Sequence, residues 1–186
     1  DDIDANVAIV YQALKGSSIS INSNVAVGYN SMSNTGGVNA DDCVAIGRDT
    51  IAAVATMDAS GTVAIGRDSL KTLGSGSGNT AVGYQSLRLM TTGGSNTVMG
   101  YQAMAVNLTG TYNVAIGKEA LVSADGAENN NVAIGAGAMG SVNLNTTEKN
   151  VAIGRNAGLG GTGELDSNVA IGHLAMDGTG SVGGSY

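Results

Sequence analysis

The residue types that most often carry nucleophilic and acid–base chemistry are scarce in this chain: one cysteine, Cys43, and one histidine, His173, lie 130 positions apart. A nucleophile–base pair is therefore not expected unless neighbouring subunits supply it. Cys43 stands in a column of asparagines described below, where a small, partly buried thiol is expected rather than a reactive one. Carboxylates are scattered through loop-like segments, and a glycosidase pair would need two of them to converge. Asp41, Asp42 and Asp125 could ligate a cation, but they read as solvated loop charges, and the aspartate-bearing calcium nonapeptide repeat is absent. No catalytic residue, cofactor or metal site is expected, and the chain is not expected to be an enzyme.

A richer set of side chains recurs at one phase: Tyr11, Tyr29, Arg48, Arg67, Tyr84, Tyr101, Lys118, Ala136, Arg155 and His173. Nine of these ten are aromatic or basic, and Asp49, Asp68 and Glu119 follow directly after Arg48, Arg67 and Lys118. If the repeats stack, these side chains form an external ridge of rings and cations about 4.8 Å apart. The plain expectation is a self-satisfied surface ladder of stacked rings, cation–π contacts and weak ion pairs. The functional expectation is a ridge that contacts a glycan or another surface, because flat aromatic faces beside polar groups suit sugars.

The elements that position the ridge come from a short repeat. The unit Asn113-Val114-Ala115-Ile116-Gly117 recurs in variant form ten times. Its last slot is filled by Val10, Gly28, Gly47, Gly66, Gly83, Gly100, Gly117, Gly135, Gly154 and Gly172, at intervals of 17–19 residues. A fixed period of this kind signals a solenoid. We expect a single repeat domain over 1–186, with the repeats covering about 5–176 and a Gly-rich C-terminal end. The branched–small–branched pattern ahead of the glycine, as in Val114-Ala115-Ile116, has period two and predicts a short two-faced strand. The first slot is asparagine at Asn6, Asn24, Asn79, Asn96, Asn113, Asn131, Asn150 and Asn168, with Cys43 and Thr62 as exceptions. Stacking would bring these amides into a structural ladder.

After the glycine, a small residue and then a large apolar one (Ser69-Leu70, Ala120-Leu121) predict a second strand, followed by a solvent-facing return of variable length. A helix there, as in leucine-rich repeats, is disfavoured because five or six residues are too few to sustain one. Such a coil has room inside for the alanines and one bulky column, so the second bulky set must be buried against something outside it. Self-association along the whole length is expected, because every coil repeats the same apolar stripe.

Composition supports an ordered all-β array: 30 glycines, no proline, tryptophan or phenylalanine, and 12% charged residues, with apolar residues in phase. The net charge of −7 argues against nucleic acid and anionic membranes as partners. No run of 18 apolar residues suggests membrane insertion by a helix. The chain opens Asp1-Asp2-Ile3-Asp4 and reads as a mature or trimmed segment of something longer.

Asn131-Val132-Ala133-Ile134-Gly135 and its copies resemble the head repeats of YadA-like trimeric autotransporter adhesins. Asn79-Thr80-Ala81-Val82-Gly83-Tyr84-Gln85-Ser86-Leu87 is more similar still to repeats of bacteriophage tail fibres. The resemblance covers about residues 5–176 and implies a left-handed parallel β-roll assembled as a homotrimer. It further implies a tail-fibre shaft or receptor-binding region on a virion, or alternatively an adhesin head at a bacterial surface. The period here is longer than that of the autotransporter head, so the return must differ. An ice-binding solenoid would need a regular threonine array, whereas Thr80 and Thr97 are isolated substitutions. A polysaccharide-degrading spike would need a convergent acidic pair.

Overall fold

The computed structural model describes residues 5–15, 22–33, 40–52, 58–123, 126, 128–141, 147–158 and 166–177. Ten three-residue strands run in parallel: β1 Val7–Ile9, β2 Val25–Val27, β3 Val44–Ile46, β4 Val63–Ile65, β5 Thr80–Val82, β6 Thr97–Met99, β7 Val114–Ile116, β8 Val132–Ile134, β9 Val151–Ile153 and β10 Val169–Ile171. They form one sheet in chain order, each strand pairing with the next. Register is constant: Val114 pairs with Val132, Ala115 with Ala133 and Ile116 with Ile134. The fold is an all-β parallel solenoid, and no helix occurs among the described residues.

The two faces of the strands divide as the pattern predicts. The central column is buried, with Ala26, Ala45, Ala64, Ala81, Val98, Ala115 and Ala133 fully enclosed. The flanking valines and isoleucines point outward and are half-buried to exposed, Ile9 at 52%, Met99 at 49% and Ile171 at 67%. Opposite the alanines, Met32, Ile51, Leu70, Leu87, Met104, Leu121 and Met139 fill the interior. One bulky column lies inside and two lie outside.

Each coil turns its first corner at the glycine. At Gly117 φ is +136°, and a Cβ added there would lie 2.5 Å from the Gly135 carbonyl oxygen of the next coil. The corner N–H of Gly117 donates to Met99 O of the preceding coil at 2.8 Å, while Val114 N–H donates to Asn131 O of the following one, also at 2.8 Å. Every interior coil is thus tied on both sides.

The predicted second strand is not formed. The segment after the glycine is a run of turns in which the second and fourth residues have positive φ, as at Asp68 (58°) and Leu70 (48°). Ser69 N–H closes back onto Gly66 O at 3.3 Å. Left-handed residues at alternate positions curl the chain sharply enough to aim Leu70 back at Ala64 across a narrow interior, which an extended strand would overshoot. Asn, Asp and Gln supply most of the first left-handed sites, where polar side chains tolerate that conformation best.

The return is not wholly solvent-facing either. Leu73, Met90 and Asn107 project inward at one of its positions, and Ala40, Ala59, Gly76, Gly93, Gly110, Glu128 and Thr147 line the wall at another. Buried Glu128 faces Asn107, whose Nδ2 donates to Oε2 at 2.9 Å, and Gly126 N–H donates to the same oxygen at 3.2 Å. Asn107 takes the place of the aliphatic Leu73 and Met90, so the two polar substitutions answer one another inside the coil. The Gly-rich C-terminal end lies outside the described residues.

Candidate functional site

Stacked backbone holds the Tyr/Arg ridge in line. Each residue after the ridge donates its N–H to the ridge carbonyl of the coil before it: Asp68 to Arg48 at 2.9 Å, Gln85 to Arg67 at 3.0 Å, Gln102 to Tyr84 at 2.9 Å. The side chains are therefore set at the strand spacing. Tyr84 and Tyr101 stack with ring centroids 5.2 Å apart and planes 14° apart. Tyr11 and Tyr29 stack at 5.9 Å and 25°. The Arg67 guanidinium carbon lies 5.8 Å from the Tyr84 centroid, joining cation and ring pair into one three-residue strip. Arg48, Lys118, Arg155 and His173 are exposed on the same line.

The neighbouring column is a polar ladder that props the ridge. Asn30 Nδ2 donates to Asp49 Oδ1 at 3.1 Å, and Gln102 Nε2 to Gln85 Oε1 at 2.8 Å. Ion pairs join the two columns: Arg48–Asp49 at 3.5 Å, Arg67–Asp68 at 3.3 Å and Lys118–Glu119 at 3.4 Å. Burial pushes the Asp68 carboxyl up, but hydrogen bonding to Lys71 at 2.9 Å, the nearby Arg67 and the Gln85 amide outweigh it, holding the carboxyl below its ordinary value. The strip around Tyr84 therefore keeps a fixed negative charge beneath an exposed cation and two rings.

The asparagine column is a continuous interior device from Asn79 to Asn168. From Asn79 to Asn150 each Oδ1 accepts two donors from the next coil: Asn113 N and Nδ2 reach Asn96 Oδ1 at 2.9 and 3.1 Å. The same Nδ2 also donates to Glu128 O at 2.7 Å, tying the corner to the return wall. At the other end of the stack, Asn6 Oδ1 accepts Asn24 N–H at 2.9 Å, and Asn24 Oδ1 accepts Cys43 N–H at 2.9 Å. The Cys43 thiol donates to Ala59 O at 3.1 Å, at the position where the Asn79 amide reaches Gly93 O at 2.9 Å. Burial, chiefly, pushes its pKa up to about 11. It is a buried, protonated space-filler.

No family model, curated protein or solved structure matches this chain. The chemistry must be read from the geometry. Among the described residues no group of three or more His, Cys, Asp or Glu side chains converges as a metal site would require. Asp41 is engaged in the backbone, its Oδ1 accepting Asn22 N–H at 2.8 Å, while Asp42 is exposed beside it and Asp125 lies outside the described residues. No helix among the described residues is long and apolar enough to cross a membrane.

A second feature, on the return side, was not singled out by the repeat columns. An open groove of about 340 Å³ runs over successive coils and is lined by Asp58, Ser77, Thr92, Gly94, Thr111 and Tyr112, among others. Two signals for it stand in the sequence. Gly94 is the one glycine in a column of side-chain acceptors running from Asn22 to Asp166, and Tyr112 is the one aromatic in a column otherwise holding Ala, Ser, Asp, Gly, Asn or Lys.

Proposed function

We propose that this chain is a structural and adhesive fibre segment that assembles as a parallel homotrimer, packing its three sheet faces about the axis and carrying the Tyr/Arg ridge outside. The observation that carries this is the outer sheet face. Its two columns hold twenty side chains, all Val or Ile except Thr80, Thr97 and Met99, and none is charged. Ten strands in constant register make this face about 45 Å long and 10 Å wide. A monomer rarely leaves a continuous apolar surface of that size open to water. Parallel copies would set identical coils at equal height, so that each Ile116 meets its counterparts. The number three and a left-handed winding follow from the resemblance to tail-fibre and adhesin repeats.

A tail fibre of a bacteriophage is the setting that fits the repeat best, with the segment serving as shaft or receptor-binding region on the virion. The head of a trimeric autotransporter adhesin, at a bacterial surface, is the alternative. In either setting the ridge is the part positioned to meet a host glycan or protein.

Assembly is tested by light scattering. The expected mass is three times 18.3 kDa, falling to that of one chain when Ile116→Glu and Ile134→Glu place charge on the face. A folded monomer of the unsubstituted chain would refute the trimer. Adhesion is tested separately: Tyr84→Ala with Tyr101→Ala should abolish adsorption to host cells, and unchanged adsorption would remove the ridge from the mechanism.

A further inference from the structure

The return-side groove exists because a hydrogen-bonding ladder is interrupted there. Two positions before the asparagine corner, the backbone N–H of several coils is satisfied by a side-chain oxygen from the same position of the next, while Ser60 N–H turns instead to Asp58 Oδ1 of its own coil. Asn22 N–H donates to Asp41 Oδ1 at 2.8 Å, Thr111 N–H to Asn129 Oδ1 at 2.8 Å and Glu148 N–H to Asp166 Oδ1 at 3.0 Å. Ser77 meets Gly94 at this position, which has no side chain to offer. Gly94 in turn meets Thr111, whose hydroxyl is already directed to Asn129 Oδ1 at 2.8 Å. The N–H groups of Ser77 and Gly94 therefore have no hydrogen-bond acceptor among the described residues. Both residues line the groove, and Ser77 is exposed.

The rest of the lining completes a set of complementary groups. Asp58 is exposed and uses one carboxylate oxygen to accept Ser60 N–H at 3.2 Å, leaving the other without a partner among the described residues. Ser75, Ser77, Thr92 and Ser95, each carrying a hydroxyl, line the same opening. Tyr112 flanks it with 64% of its surface exposed. Its φ is +59°, a conformation disfavoured for so bulky a residue. No aliphatic side chain lines the groove apart from the threonine methyls, which argues against an apolar peptide anchor. A carboxylate in the lining of a chain with net charge −7 disfavours an anion. Unpaired donors, a free carboxylate acceptor, clustered hydroxyls and one exposed ring match a neutral polyhydroxylated ligand.

From these observations the geometry points to a saccharide-binding groove that takes a neutral sugar of one or two rings. The backbone N–H groups of Ser77 and Gly94 donate to ring hydroxyl oxygens, Asp58 accepts from sugar hydroxyls and the Tyr112 ring covers a sugar face. A volume of about 340 Å³ is at the small end for ligand sites, in keeping with a short sugar rather than a long chain. The groove is separate from the Tyr84–Tyr101 strip and requires neither the trimer nor the ridge to bind ligand.

The test is titration of the ¹⁵N-labelled protein with a panel of free sugars: glucose, galactose, mannose, N-acetylglucosamine, maltose and lactose. At least one should shift the amide signals of Ser77 and Gly94 saturably. Its affinity should fall tenfold or more in Tyr112→Asn and in Asp58→Asn, and stay unchanged in Tyr84→Ala. Tyr112→Asn preserves the backbone, because Asn130 occupies the same place one coil on with φ of +58°. Asp58→Asn keeps an acceptor for Ser60 N–H. A panel that moves neither amide overturns the proposal. So does binding that survives both substitutions, or a preference for sialylated or sulfated analogues over the neutral sugars. Loss of host adsorption in the ridge variant with sugar binding retained would separate the two sites.

Discussion

Replacing Gly117 by alanine tests the stacking geometry most directly, because two costs meet at one methyl group. With φ of +136°, an L-residue here is strained, at about 1–3 kcal/mol. The new Cβ would also sit 2.5 Å from Gly135 O, 2.6 Å from Gly135 C and 3.0 Å from Ala136 N. All three are backbone atoms of the next coil, so the coils must part, and overpacking of this kind adds about 1–3 kcal/mol. Gly61→Ala is the control: its φ is +69°, but nothing lies within 4 Å of the added methyl. It should cost only the conformational part, about 1 kcal/mol. Urea unfolding followed by circular dichroism, with hydrogen exchange to detect local opening, should show Gly117→Ala destabilised by about 2–6 kcal/mol. The first coil already shows the effect in mild form. Val10 occupies this slot with φ of +86°, and the bond across its corner, from Gly28 N–H to Ile9 O, is 3.0 Å, against 2.7 Å for the equivalent bond from Gly135 N–H to Ile116 O at the Gly117 corner. An end coil can splay, whereas an interior coil cannot. A loss at Gly117 no larger than at Gly61 would refute the reasoning.

Three further outcomes follow from the same contacts. Asn113→Ala removes the acceptor of Asn131 N–H and the donor to Glu128 O, both buried, and should cost about 2–5 kcal/mol in a urea titration; a cost below 1 kcal/mol would show the ladder to be dispensable. Because burial raises the Cys43 pKa from 9.0 to about 11, the unfolded chain releases that proton first as pH rises. Stability should be fully present below about pH 9 and fall by about 2–3 kcal/mol towards pH 11, and this loss should vanish in Cys43→Asn. Asp68 acts in the opposite sense: its lowered pKa makes its contribution present at neutral pH and lost as pH falls through the folded-state value, a dependence that Asp68→Asn should remove from the acid limb of the stability profile.

The strands and the corner residues were legible in the sequence because each rests on a column with a single physical demand. Ala115 must fit a narrow interior, Gly117 must let two backbones touch, and Asn113 must bond above and below. The segment after the glycine was not legible as a run of turns. Leu70, Leu87 and Leu121 carry no propensity for positive φ, and only the need to reach the interior across a short coil imposes it. The return wall was hidden for a different reason. Its length varies from coil to coil, so the inward side chains Leu73, Met90 and Asn107 fall out of phase with later coils. Asn107 and Glu128 are intelligible only as a pair, 21 residues apart, and neither is unusual alone. The ridge could be placed from spacing, but which of its members touch could not. Arg67 reaches Tyr84 because the residue type changes from Arg to Tyr between those two coils, a local accident of order rather than a rule of the repeat.

The neighbour-only pairing of β1 through β10 also has a mechanical consequence. The chain runs across the stack while the stack extends along its axis, so tension on the two chain ends is borne by one coil boundary at a time. The outermost coil must peel before the next is loaded, and each coil of 17–19 residues releases about 60 Å of slack as it opens. Stretched in this way, the protein would yield in equal steps and re-form coil upon coil when the load is released, behaving as an extensible tether while remaining stiff in compression.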